Sequence, residues 1–120
     1  MNPHLRPAAA GLLGLGLVLS GGCGSRKETP SQLTDLEKAF PDPKATPEVT
    51  LAVTASRSND FGTGVIALDE AKRRPGLSAQ QLEAVDLANR ALVTELTRRA
   101  DAGDARARAE LDRIERTRSR

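Results

Sequence analysis

The sequence predicts an all-α protein whose body is a small bundle of about three to four helices arranged as hairpins. Three observations predict this fold. Apolar residues recur at spacings of three and four through most of the chain from Thr46 to Ile114. Residues suited to helix caps stand where these runs begin. Acids precede arginines by four positions, the favourable order on a helix, in six pairs. The pairs are Asp69–Arg73, Glu70–Arg74, Asp86–Arg90, Glu95–Arg99, Asp104–Arg108 and Asp112–Arg116.

The first element of the body is a short helix followed by a stiff connector. Ser31 is expected to cap this helix, and Leu33, Leu36 and Phe40 share one of its faces at spacings of three and four. Three prolines within residues 41–47 predict that the next stretch is extended and rigid.

Two further helices follow the connector. Thr46 is suited to cap the first of them, because Pro47 occupies its first turn and Glu48 lies near the positive end of the helix dipole. Asp60 is suited to cap the next helix, which Pro75 and Gly76 are expected to end. The inward residues predicted for this pair are Val49, Ala52, Val53, Ser56, Phe61, Val65 and Leu68.

The clearest helix begins at Ser78, which forms a capping box with Gln81. Gly103 stands where a left-handed C-cap belongs, and Asp104 can cap a final helix. The inward residues predicted for these two helices are Leu82, Val85, Ala88, Leu92, Leu96, Leu111 and Ile114. The Ala-Gly-Asp turn at 102–104 resembles the tight turns of helical repeat proteins such as tetratricopeptide arrays, although the chain shows no 34-residue period.

One alternative interpretation assigns a strand to residues 49–55, where apolar and small polar residues alternate. Residues 62–67 then match G-x-G-x-x-A, a dinucleotide-binding fingerprint. That motif requires a strand leading directly into a helix, whereas six residues intervene here and no later strands are visible. We therefore favour helices and expect no cofactor.

The N-terminal segment differs in character from the body. Residues 1–7 carry one arginine, Arg6, and residues 8–19 are uncharged and mostly apolar. A helix of twelve residues rises about 18 Å, well short of a bilayer core of about 30 Å. This pattern indicates the apolar region of a signal peptide.

The residues from Leu19 to Cys23 (Leu-Ser-Gly-Gly-Cys) resemble the lipobox of bacterial lipoproteins, with the large aliphatic residue four positions before the cysteine instead of the usual three. The resemblance implies cleavage between Gly22 and Cys23, and acyl chains on Cys23 that anchor the protein in a membrane. By the same resemblance, Gly24 in place of an aspartate favours the periplasmic face of the outer membrane.

Three regions follow from these features. We expect a lipoprotein signal peptide in residues 1–22, and a lipidated N-terminus, polar tether and short helix in residues 23–45. Residues 46–120 are expected to form the helical domain with its basic C-terminal end. Two alternatives stay open for the N-terminus: ordinary secretory cleavage that releases a soluble protein, and an uncleaved apolar anchor.

Composition excludes several kinds of function. The 120 residues include 18 Lys and Arg against 16 Asp and Glu, one Cys and one His. A Cys/His zinc site and a disulfide framework therefore lack residues, and the paired acids do not converge on a metal site. We expect a non-catalytic protein without metal or cofactor.

The partners that the sequence predicts are a membrane and a protein. Arg113–Arg120 contains four arginines and no aromatic residue, so nucleic-acid binding is not expected. Attraction of these arginines to anionic phospholipid is an alternative function. Leu87 and Val93 lie off the inward stripe of the longest helix and form a candidate surface for self-association or for an envelope partner. The other possibility for these two residues is burial among helices of the same chain.

Overall fold

A computed structural model describes residues 29–120, which fold into five α-helices without a strand. Helix α1 occupies residues 29–39. The four that follow are α2 (Pro47–Arg57), α3 (Phe61–Lys72), α4 (Ala79–Asp101) and α5 (Ala105–Arg118). The predicted all-α class is thus confirmed. None of these helices combines the length and the apolar character that a membrane span requires.

The predicted count of three to four helices is too low, because α1 belongs to the same bundle as the others. Leu36 and Phe40 are buried in the common core, and Gln81 Nε2 of α4 donates a hydrogen bond of 3.1 Å to the Ala39 carbonyl. Ser31 lies inside α1 and does not cap it, since Thr29 and Pro30 are already helical. The signal peptide, its cleavage site and Cys23 lie outside the described residues.

The helices that follow α1 pack in sequence order. Helix α3 contacts α2, α4 and α5, and α4 contacts α5. The turns between them have the predicted chemistry. Asp60 Oδ1 accepts a hydrogen bond from the Thr63 N–H at 3.3 Å, Ser78 and Gln81 form the capping box, and Asp104 accepts from two N–H groups of α5. Gly103 has φ +100° and so adopts the left-handed conformation predicted for it.

Thr46 does not cap α2 as predicted. It is the residue before Pro47, but its side chain makes no capping bond, and its hydroxyl is buried without a hydrogen-bond partner among the described residues. The start of α2 depends instead on Pro47. Its fixed φ suits the first turn of a helix, and it has no N–H that would need a partner.

The inward stripe of α4 is confirmed except at its first member. Val85, Ala88, Leu92 and Leu96 are buried, whereas Leu82 is 41% exposed. The difference has a geometric cause. Helix α5 is nine residues shorter than α4 (14 against 23), and its last residue, Arg118, bonds Asn89. Leu82 lies two turns before Asn89 and therefore beyond the end of α5.

Two glycines bring α3 close to its neighbours. A Cβ on Gly64 would lie 2.5 Å from Ser56 Oγ of α2 and 3.2 Å from Leu92 Cδ1 of α4. A Cβ on Gly62 would lie 2.7 Å from Arg113 Nη2 of α5. The G-x-G-x-x-A match thus falls wholly within a helix, where its glycines serve close packing. The helical interpretation of residues 49–67 is confirmed.

Only two of the six predicted ion pairs along single helices form, Asp86–Arg90 at 2.8 Å and Glu95–Arg99 at 2.9 Å. In some of the other predicted pairs, a residue bonds a partner on a different helix instead. Arg74 of α3 bonds Glu48 of α2 at 2.7 Å, which lowers the pKa of that carboxyl, and Asp69 bonds Arg118 of α5 at 2.8 Å. The spacing rule describes an isolated helix, and neighbouring helices offer competing partners.

We predict that Gly64→Ala lowers the free energy of unfolding by about 1–3 kcal/mol, because the added methyl group overpacks the contact with α2 and α4. Urea unfolding followed by the helical circular dichroism signal measures this loss. Ser56→Ala removes the nearest atom, so the double variant should lose less than the sum of the two single changes. Strict additivity would show that Ser56 is not the obstacle.

Candidate functional site

A groove opens between the start of α1 and the junction of α2, α3 and α4. Its cavity has a volume of about 400 Å³, within the range of about 300–1,000 Å³ that is common for small-molecule sites. We call it the α1 groove; it is lined by Thr29, Pro30, Leu33, Thr34, Ser56, Arg57, Phe61, Glu95 and Arg99.

A buried carboxylate forms one wall of the α1 groove. The side chain of Glu95 is only 7% exposed. Its Oε1 accepts a hydrogen bond from Arg98 Nε at 3.1 Å, and its Oε2 accepts from Arg98 Nη2 at 2.5 Å and from Arg99 Nε at 2.9 Å. These positions follow from helix geometry, since residues three and four ahead share a face with Glu95.

The arginine bonds determine the ionisation of this group. The hydrogen bond from Arg98 lowers the pKa of Glu95, and the bond from Arg99 acts in the same direction, while burial opposes both. The pKa of Arg98 is raised by the same contact. Glu95 is therefore a carboxylate at neutral pH, and its charge is matched by two guanidinium groups.

Arg99 connects α4 with the turn between α2 and α3. Its guanidinium carbon lies 4.7 Å from the centre of the Phe61 ring, a cation–π contact. Its Nη2 donates to Asn59 Oδ1 at 3.3 Å. Asn59 has φ +67°, a left-handed conformation that asparagine tolerates better than most residues. Phe61, the first residue of α3, thus lies beneath a cation at the edge of the groove.

Arg57 supplies the second cation that lines the groove. It makes two hydrogen bonds with Glu37 of α1, at 2.6 and 3.1 Å. Both side chains are about half exposed, and exposed ion pairs contribute only about 0–1 kcal/mol to stability. The Arg57 guanidinium can therefore exchange Glu37 for another anion at little cost.

A second polar cluster holds the end of α5. Arg118 donates to both carboxylate oxygens of Asp69 at 2.8 and 3.2 Å and to Asn89 Oδ1 at 3.0 Å. Asn89 in turn donates to Asp69 at 3.0 Å. The contact with Asp69 raises the pKa of Arg118. Because every member bonds the others, this cluster is a structural link among α3, α4 and α5.

The structure places Leu87 and Val93 on different sides of α4. Leu87 is 40% exposed and lies beside Ala39 of α1 in a shallow groove. Val93 is partly buried against the core and lines a cavity with Leu111 and Ile114 of α5. The two residues therefore lie at separate parts of the surface, and Leu87 is the more exposed of them.

Other predicted site residues fall outside the described part of the chain, namely Gly22 and Cys23. Residues 29–120 contain no group of three or more His, Cys, Asp or Glu side chains that could hold a metal ion. No protein-family model, curated protein or solved structure matches this chain.

The sequence did not reveal the α1 groove. The spacing predicts an ion pair between Glu95 and Arg99 and a core position for Phe61, but it gives no relation between the pair and the ring. One clue was available, because Glu95 lies three residues after Leu92 and one before Leu96, at the margin of the apolar stripe. A carboxylate at that margin is partly buried and needs cationic partners.

We predict that Glu95→Gln makes stability less dependent on pH. The pKa of Glu95 is lowered by folding, so its contribution is complete above about pH 4.3, its ordinary value, and is lost as the pH falls through the lowered value. At pH 7 the variant should lose about 1–3 kcal/mol of unfolding free energy, because charge-assisted hydrogen bonds weaken. Unfolding in urea between pH 3 and pH 7 tests both statements.

The exposed Glu83 of the same helix provides the control. Glu83→Gln should reproduce the pH profile of the unchanged protein. Equal profiles for the unchanged protein and Glu95→Gln would contradict a role of Glu95 in acid sensitivity.

Proposed function

We propose that this protein is a lipid-anchored component of a bacterial cell envelope, acylated at Cys23, whose helical body is a non-catalytic interaction or structural module. The observation that carries the proposal is the lipobox-like sequence Leu19–Cys23, preceded by an apolar stretch too short to span a bilayer. Gly24 after the cysteine favours the outer membrane, with the body on its periplasmic side.

The length of the tether supports a body that lies close to the bilayer. Five residues separate Cys23 from Thr29, and the six Cα-to-Cα steps between them span about 20 Å when the chain is fully extended. Two or three acyl chains, at about 0.8 kcal/mol per buried CH₂ group, are sufficient for stable attachment. The beginning of α1, and with it the α1 groove, would then face the lipid headgroups.

The charge state of the α1 groove supports a non-catalytic role. A general acid or base is most effective when its pKa lies near the working pH. The pKa of Glu95 is lowered, and its oxygens already accept three hydrogen bonds from arginine. This carboxylate is therefore poorly suited to exchange protons with a substrate.

The direction of α5 supports membrane binding through the C-terminal arginines less well than it supports attachment through Cys23. Asp104 and Arg106, at the start of α5, line a cavity with Asn59 and Arg99, so α5 begins at the end of the bundle where α1 begins. Its 14 residues then rise about 20 Å toward the opposite end. Arg118 is also engaged with Asp69.

We predict that metabolic labelling with a tagged fatty acid marks the full chain and that Cys23→Ser abolishes the label and releases the protein from the membrane fraction. The reason is that membrane attachment depends on acyl chains that only the thiol can receive. Ser31→Ala, which lies outside the lipobox-like segment and keeps the cysteine, serves as the control. An unlabelled product in a soluble periplasmic fraction would instead support ordinary secretion.

We also predict that Leu87→Gln reduces self-association or capture of an envelope partner in crosslinking experiments while the helical circular dichroism signal is unchanged. Leu87 is exposed, so a polar side chain there costs little stability, but it removes apolar contact area from an interface.

Leu51→Gln provides the matched control, because Leu51 is 50% exposed on α2, away from this surface. Equal crosslinking of both variants and the unchanged protein would exclude Leu87 as an interface residue.

A further inference from the structure

We propose that the α1 groove binds a single-chain anionic amphiphile, a molecule with a carboxylate or phosphate head and one acyl chain, taken from the membrane beside which the body is held. The identity of the source rests on the proposed function, whereas the chemistry of the site rests on the groove itself.

The charges around the groove favour an anionic head. Two guanidinium groups, from Arg57 and Arg99, line the groove together with one carboxylate, Glu95. Outside this lining, Glu37 bonds Arg57 and Arg98 bonds Glu95, so these two partners offset each other in charge. One positive charge therefore remains in the cluster. A ligand head with a negative charge would balance it, and the exposed Arg57–Glu37 pair is the part of the cluster that can open to receive it.

A count of hydrogen-bond donors also favours an anionic ligand head. A guanidinium has five N–H donors, and within residues 29–120 Arg99 uses one on Glu95 and one on Asn59. The Glu95 oxygens, by contrast, already accept three bonds. The groove therefore has guanidinium donors to spare, and these suit a ligand rich in acceptors, such as a carboxylate or a phosphate.

The remaining surface of the groove suits an acyl chain. Leu33 and Phe61 contribute apolar walls, and both are buried in the protein except where they border the cavity. A site with an apolar lining and a few converging polar groups is the usual form of a small-molecule pocket. An acyl chain along these walls would lie next to a head bound at Arg57 and Arg99.

The membrane is the favoured source because of the length of chain before α1. Thr29 and Pro30 border the groove, and the chain between Cys23 and Thr29 can extend at most about 20 Å. An acylated Cys23 would therefore keep the groove within reach of lipid headgroups, where the concentration of amphiphiles is high.

Photolabelling of the full chain tests the proposal. The acylated protein, reconstituted in phosphatidylcholine vesicles, is exposed to palmitate with a diazirine on its chain or to the corresponding alcohol, and labelled peptides are mapped by mass spectrometry. We expect palmitate to label the peptides that contain Leu33 and Phe61 more strongly than the alcohol does. Arg57→Gln should lower palmitate labelling about two- to fivefold, the value of one exposed ion pair, and leave the alcohol unaffected.

Arg90→Gln is the matched control, since Arg90 is an exposed arginine paired with Asp86 outside the groove. Equal labelling by acid and alcohol, equal effects of Arg57→Gln and Arg90→Gln, or labelling centred on the exposed Leu51 and Leu87 would overturn the proposal. Circular dichroism shows whether each variant retains its helices.

The Cys23→Ser chain separates this proposal from the lipid anchor. Charge-selective labelling of the groove in this variant, with no fatty acid on Cys23 of the unchanged protein, would retain the groove site and overturn the anchor. Acylated Cys23 without charge-selective labelling would overturn the groove site and retain the anchor.

Discussion

The close approach of α3 to its neighbours is the constraint on which the rest of this structure depends. Gly64 lets α3 touch Ser56 of α2 and Leu92 of α4, and Gly62 lets it touch α5. A side chain at position 64 would press against both α2 and α4, whereas at position 62 the nearest atom is the end of the flexible Arg113 side chain. Because the core contains only two aromatic side chains, Phe40 and Phe61, close backbone packing compensates for the small volume of the apolar residues.

Polar groups then complete contacts that the glycines make possible. The first N–H groups of a helix have no partner within that helix. In α3, the N–H of Gly62 donates instead to Glu110 Oε1 of α5 at 2.8 Å. The other oxygen of Glu110 accepts from Arg106 at 3.0 Å. A side chain from α5 therefore supplies part of the cap of α3, which is possible only where the two helices lie this close. The Asp69–Asn89–Arg118 cluster performs a similar role at the opposite end of α5.

Sequence reasoning succeeded where the structure depends on local chemistry and failed where it depends on distant neighbours. The capping box at Ser78, the left-handed Gly103 and the cap at Asp104 involve residues within four positions of one another, so their pattern was visible. The spacing of Leu82 predicts a core position, but its exposure depends on where α5 ends. Spacing predicts that Asp69 pairs with Arg73, yet the structure pairs it with Arg118, 49 positions away. The α1 groove combines residues from four helices, and no spacing rule relates them.

The two ends of the bundle differ in what they can contact. Thr29, Arg57, Phe61 and Arg99 lie at the end where the chain from Cys23 arrives, so a short tether would turn this end toward the bilayer. Leu87 lies eight residues before Glu95 on α4, a rise of about 12 Å toward the other end. An exposed apolar residue facing away from the headgroups is accessible to a protein even when the body rests on the membrane. On the proposed lipid anchor, the same helix would hold the α1 groove next to lipid at one end and would leave Leu87 accessible to a protein nearer the other.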